Sequence, residues 1–550
     1  MTLPSPDEPA DLVLTGGRIW TGDAARSSAE AVAVRDGRIT AVGPAGAVRQ
    51  TVGPRTRVID LHGRMVTPGF GDAHAHPVMS ALTQFRCNLL EDRGLEGYLG
   101  IVARYVAEHP EREWVEGEGW YMPDFPGGTP RREDLDRVTA GKPAFLYNRD
   151  GHGAWVNTAA LERAGITAAT PDPPDGRIER DPDGTPSGTL HEGACHLVER
   201  LLPPATHEEW LAALRWAIRH FHSLGITNWQ DAHVAPEYQA AYHALAATGE
   251  LTPRVVGALW WDRHRGVDQV PELVERRRTG FAGRYAPTAV KIMQDGVFEN
   301  FTAAMVDPYL GSDGRPTRNR GLSLVDPSVL NEAVATLDAE GFQVHFHAIG
   351  DRAVREALDA FEVARSRNGR SDHRHHIAHI QVIHPDDIPR FASLDVVANA
   401  QALWAVQEAQ MDDLTIPFLG PARVGWQYPF RSLRRAGAVL AMGSDWSVST
   451  ADPLAQIHTA VNRVFPGTDA EPFLPEERLD LPDALAAFTA GSAYVNHLDE
   501  AGVLAPGRLA DIAVLDRDLF DRGAGAIADA SVIATIVEGQ VVHETAALEG

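Results

Sequence analysis

The sequence predicts an α/β protein: a (β/α)8 barrel of TIM type, a small β-sandwich built from both termini, and an insertion after the first barrel strand. Three observations carry this expectation. Through the middle of the chain, short β-branched runs alternate with helix-like stretches, the pattern of βα units on a parallel sheet. Both ends instead alternate apolar and polar residues around Gly-rich turns. The 550 residues are also too many for one simple core, so at least two domains are expected.

The N-terminal stretches 10–23, 29–43 and 56–70 read as short strands, with Asp36-Gly37 as a turn. Residues 510–518 and 530–544 repeat the style around Glu538-Gly539. Chain ends often lie close together, so 1–66 and 505–550 are expected to share the sandwich, and 67–504 to form the barrel. Eight barrel strands are expected near 67–74, 225–231, 254–260, 288–294, 343–347, 376–381, 395–401 and 438–444. Helical patterns lie between most of them, for example 207–224 and 329–341. The gap between the first two strands is too long for one crossover helix. Residues from about 85 to 205, rich in Pro, Gly, Trp and Asp, therefore form an inserted subdomain.

Composition narrows the function. A net charge of −25 argues against nucleic-acid and anionic-membrane binding, which favour a basic face. Cys87 and Cys195 alone cannot make a disulfide framework or a Cys-based zinc site. The start, MTLPSPDEPADLVL, lacks a basic leader region, and no run approaches the ~20 apolar residues of a membrane span. A cytoplasmic protein is expected. Lys142 and Lys291 are the only lysines among fifty basic residues. Unlike arginine, lysine can lose its proton and become a nucleophile or a carbamate, which draws attention to Lys291 near a strand end.

The chemistry-bearing residues gather at those strand ends. GFGDAHAHP closes the first strand with His74 and His76, which at i and i+2 point to one face and can converge on one ion. Lys291 lies near the end of the fourth strand, His347 at the end of the fifth, His379 in the sixth and Asp445 beyond the eighth. Taken singly, His347 and His379 read equally as core histidines, and Asp445 as a helix N-cap. Taken together they fall where (β/α)8 barrels carry their reactive groups. Imidazole and carboxylate suit zinc or a similar divalent ion.

Over nearly the whole chain the sequence resembles the amidohydrolase superfamily, and within it the family of the N-substituted formamide deformylases. The resemblance rests on ADLVLTGGRIWTGD, VTPGFGDAHAHP, GHGAWVNTAAL, GITNWQDA, VKIMQDGVFEN, VHFHAIGDRAV, HHIAHIQ, GSDWSV and GVLAPGRLADIAVLD. It implies that His74 and His76 hold one ion, that a carboxylated Lys291 bridges to a second held by His347 and His379, and that Asp445 binds metal and shuttles protons. It also implies that His152 reaches the site from the insertion. The chain departs from the family in having Ala378 where Glu is common, and Trp446 where small residues follow GSD. His345 faces the same way as His347, and His375 and His376 compete with His379, so the ligand register stays open.

The expected activity is metal-dependent hydrolysis of carbon–nitrogen bonds in non-peptide amides, with one or two Zn2+ or similar ions per chain. Alternatives keep the site but cleave esters, lactones or cyclic imides, or bind metal and ligand without turnover. Trp120, Tyr121, Trp155, Trp404 and Trp446 are candidates to line an apolar substrate pocket. The expected partner is a small amide-like substrate, with no nucleic acid and no membrane; a homodimer is left open.

Overall fold

In a computed structural model, described over residues 8–548, the eight barrel strands form one parallel sheet in sequential order. They are β1 (Phe70–Ala75), β2 (Ile226–Val234), β3 (Arg254–Trp260), β4 (Tyr285–Met293), β5 (Gln343–Ala348), β6 (His376–His379), β7 (Val397–Ala400) and β8 (Leu440–Met442). Their residues are almost wholly buried, as expected for strands covered on both faces. Residues 1–7 and 549–550, the outermost parts of the expected terminal domain, lie outside the described residues.

The barrel closes where β1 meets the chain leaving β8. The Asp445 amide donates to the His74 carbonyl (2.8 Å) and the His76 amide to the Trp446 carbonyl (3.0 Å). Asp72 clamps the same seam, accepting from the Ser444 amide (3.0 Å), the Ser444 hydroxyl (2.5 Å) and the His74 amide (3.1 Å). Gly443 makes the approach feasible, since a Cβ there would lie 2.4 Å from the His74 nitrogen. Helix His207–Ser223, between insertion and β2, starts at a capping box in which Thr206 and Glu209 satisfy each other's backbone donors.

The inserted residues build a six-stranded sheet of their own, in the order Gly176–Arg180, Pro186–Glu192, Gly153–Val156, Ala144–Asn148, Val115–Trp120, Cys87–Asn88. Two further excursions were not evident from the sequence: the segment between β4 and helix Pro327–Ala339, and residues 401–439 between β7 and β8. Both rise over the same end of the barrel as the insertion, where all three contribute to the walls of the cavities described below.

The two chain ends share one eight-stranded sheet. Ile512–Leu515 pairs antiparallel with Met65–Pro68, which pairs in turn with Leu12–Trp20. Leu14, Ile19, Val32 and Val66 from the first part pack with Ile512, Val514 and Ile536 from the last in one buried cluster. Arg254 of β3 meets Asp511 and Glu538, and Arg284 meets Glu538 at 2.6 Å, tying this sheet to the bottom of the barrel. No helix among the described residues is long and apolar enough to cross a membrane.

Treating the two ends as one β domain has a direct test. Ending the chain after Ala505 removes the partner strands of Met65–Pro68 and bares its edge and the apolar face above it. The expected outcome is aggregated product by size-exclusion chromatography; a soluble truncated chain with native circular dichroism would contradict it.

Candidate active site

The mouth of the barrel gathers the histidines and the aspartate into one buried cluster. His74 Nε2 and His76 Nε2 lie 3.2 and 3.1 Å from Asp445 Oδ1. The His379 ring stands 4.8 Å from that of His74 and 4.4 Å from that of His347. Donor atoms of His74, His379 and Asp445 all fall within 4.8 Å of one another. Lys291 is 3% exposed and faces the cavity shared with His74 and Asp445. Two residues of the cluster are held in the left-handed backbone region, His379 at φ +76° and Asp445 at φ +53°. Such conformations cost ~1–3 kcal/mol each and concentrate at functional sites.

Strand register sorts the competing histidines. On β5 and β6, His345 pairs with His376 one layer below the cluster, their rings 3.9 Å apart. His345 Nε2 meets His74 Nδ1 at 2.8 Å, and His376 Nδ1 lies 3.1 Å from the Asn399 amide nitrogen. These two therefore support the site from beneath. His375 points out of the barrel, stacked on Phe361. His347 and His379, two and three residues further along their strands, are the ones that reach Asp445's level.

Burial and charge set the protonation of the cluster. Burial and the neighbouring Lys291 push His74 down to about 3, so its ring is neutral and free to ligate. Burial opposes ionisation of Asp445, but the His74 and His76 rings beside it hold its pKa well below the usual carboxylate range. Burial pushes the Lys291 amine down to about 7.

The donor set fits a divalent ion on a further ground. His76 Nδ1 and His379 Nδ1 are buried with no hydrogen-bond partner, an expensive condition for groups with nothing to bind, and Asp445 Oδ1 meets the His74 and His76 ring nitrogens. A second His/Asp group, Asp338 with His373 and His375, makes the contrast. There the Val344 amide donates to His375 Nδ1, which leaves Nε2 to donate to Asp338, and Asn368 and Ser371 donate to the same carboxylate. That cluster is a closed hydrogen-bond network. The cluster at the mouth is open.

Three supporting residues escaped the sequence reading. Asp295 lies 3.2 Å from His347 Nδ1 and accepts from the amides of Ala304, Ile349 and Gly350. Burial still pushes its pKa up to about 7. Glu192 holds His152: both carboxylate oxygens lie 3.1 Å from His152 Nδ1, and Thr302 donates to one of them. Burial opposes protonation of His152, but the Glu192 carboxylate outweighs it and raises the pKa above its ordinary value. Gln401 accepts the His379 amide at 2.7 Å. Asp295 is only four residues from Lys291, but neither it nor Glu192 sits at a spacing that marks a site.

The tryptophans divide. Trp404 stacks flat on His379 (5.1 Å, 5° between planes), and with Trp446 and Tyr121 it lines a cavity at the mouth. Trp120 and Trp155 do not line it. Both are 0% exposed in the core of the insertion, their indole N–H groups donating to the Leu146 and Arg131 carbonyls. The expectation that they touch substrate is corrected: strand alternation turns them inward. Lys142 donates to the His109 and Pro110 carbonyls, a structural role.

With this geometry in hand, the comparison with known proteins is direct. A family model described as "Amidohydrolase family" matches residues 57–543. The chain belongs to the amidohydrolase family. This amidohydrolase is 31% identical to Protein LONG AFTER FAR-RED 3 of Arabidopsis thaliana, over 97% of the chain and 92% of that protein. It is 28% identical to the N-substituted formamide deformylase of Arthrobacter pascens, over 97% of the chain and 98% of that protein. Among solved structures, an uncharacterized metal-dependent hydrolase from Pyrococcus furiosus superposes on it with a TM-score of 0.71 at 25% identity, covering 92% of this chain and 99% of that one.

Asp295 offers a test of the support structure. Asp295→Asn keeps the size but swaps one acceptor oxygen for a donor facing backbone N–H groups. Loss of such a partner typically weakens metal binding ~10–100-fold. Competition with a chelator should show that loss while circular dichroism stays native; unchanged metal affinity would contradict the role.

Proposed function

We propose that this amidohydrolase is a metal-dependent hydrolase that cleaves carbon–nitrogen bonds of non-peptide amides, of the N-substituted formamide or acyl amide type. The observation that carries the reading is the convergence of His74, His76, His347, His379 and Asp445 at the barrel mouth, with His76 Nδ1 and His379 Nδ1 left without hydrogen-bond partners. His74, His76 and Asp445 would hold one ion; His347 and His379 would hold a second, with Lys291 as a carbamate between them. Neutral imidazoles and a carboxylate suit Zn2+ or a similar divalent ion. A divalent ion supplies Lewis acidity there, polarising an acyl oxygen and bringing the pKa of water towards ~7.

The protein's own groups do the rest. A lysine amine depressed to about 7 by burial has, near neutral pH, the unprotonated form that can add dissolved CO2 and release one proton to become a carbamate. Asp445, kept ionised, accepts the proton of the attacking water at a carboxylate oxygen and returns it to the departing nitrogen. His152, its Nδ1 held by Glu192, which raises its pKa, presents Nε2 to the acyl oxygen as negative charge develops. Trp404 and Trp446 pack the apolar part of the substrate and keep water out.

The roles separate in mutants. Asp445→Asn retains an oxygen but removes the base, which typically costs ~10²–10⁴-fold in rate. Against a panel of N-substituted formamides and acyl amides, kcat should collapse while elemental analysis still finds metal on the remaining ligands. A variant that turns over as fast as the parent would contradict the proton-shuttle role. A parent with bound metal and no hydrolysis of any panel member would contradict the activity itself.

Lys291→Arg keeps charge and length but cannot form a carbamate. Its metal content should fall relative to the parent protein, measured on the same preparation scale. Full occupancy in the variant would remove the bridging role.

A further inference from the structure

The barrel mouth opens on two cavities, each of about 390 Å³. Both are bounded by His152, His347, His379 and Asp445, and there they meet. From that shared wall they run to opposite halves of the barrel. One is walled mainly by segments that follow β5 to β8, with Gln381, Trp404, Met411 and Trp446. The other starts at His74, His76 and Lys291 and runs on between segments that follow β1 to β4 and the insertion, where Trp210, Tyr238 and Trp260 stand beside Arg86, Glu118 and Arg263. Each therefore has its own aromatic faces.

A bond held at the shared wall has room on both sides. Cavities of this size sit at the lower end of the ~300–1,000 Å³ that small-molecule sites occupy, enough for a ring-sized group in each. A formyl hydrogen would leave one of them without a tenant. We infer that the substrate is two-armed: an amide bearing an apolar, ring-sized group on the acyl carbon and another on the nitrogen. The inference rests on the reading of the cluster as a C–N hydrolase, and it separates acyl amides from formamides within that reading.

Three amides test it on the metal-loaded protein: N-benzylphenylacetamide with two arms, and N-benzylformamide and N-methylphenylacetamide with one each. Burying a ring is worth ~10–100-fold, so kcat/KM for the two-armed compound should exceed that for either one-armed compound by about that factor. An N-benzylformamide hydrolysed as fast as the two-armed amide would overturn the inference and leave the hydrolase reading intact. The cleaved halves give a readout that needs no turnover. Benzylamine and phenylacetate, titrated calorimetrically alone and together, should bind without altering each other's Kd. Mutual competition would overturn the two-cavity assignment. Non-competing halves with no hydrolysis of any of the three amides would support that assignment and overturn the hydrolase reading instead.

Discussion

The seam that closes the barrel is the constraint on which the site depends. Asp72 on β1 takes both donors of Ser444, and the neighbouring Asp445 amide binds the His74 carbonyl. Asp72 is buried so deeply that its pKa is pushed up to about 7, yet three protein donors converge on it. Two stretches 370 residues apart in number are thereby locked together with the Asp445 carboxylate directed at His74 and His76. The closeness of Gly443 to the His74 backbone leaves no slack in this arrangement.

Around that seam the site is built in layers. His345 and His376 lie beneath, and the 2.8 Å contact from His345 fixes the His74 ring from its far nitrogen, leaving Nε2 for an ion. Asp295 does the same for His347 from the segment after β4, and Glu192 for His152 from the insertion. Three of the imidazoles, His74, His347 and His152, thus have a neighbour backing the ring from another element. Precise positioning of this kind comes from many short contacts, none of which needs to be strong.

The barrel was legible because its strands are buried on both faces and read as apolar runs with punctuation between them. The mouth cluster was legible because HAH, Lys291 and Asp445 fall at strand ends, where period-2 geometry dictates direction. Period-2 geometry is also why His345 and His347 could not be separated: both point inward, and only their heights in the barrel differ. Asp295 and Glu192 were invisible for another reason. They act on side chains over 50 and 40 residues away in number, through loops whose path no local pattern specifies. Trp120 and Trp155 were misread because richness in aromatics near a site does not say which side of a strand they occupy. The insertion has a core of its own, and that core claims them.

The central claim is that the cluster around Asp445 is a metal centre rather than a packed polar core. Crystals of the protein purified without chelator, measured above and below the zinc absorption edge, test it most directly. An anomalous peak is expected within bonding distance of His74, His76 and Asp445, with a second beside His347 and His379 wherever Lys291 carries three extra non-hydrogen atoms of density. Hydrogen-bonded waters filling that space in an active, metal-free crystal would contradict it.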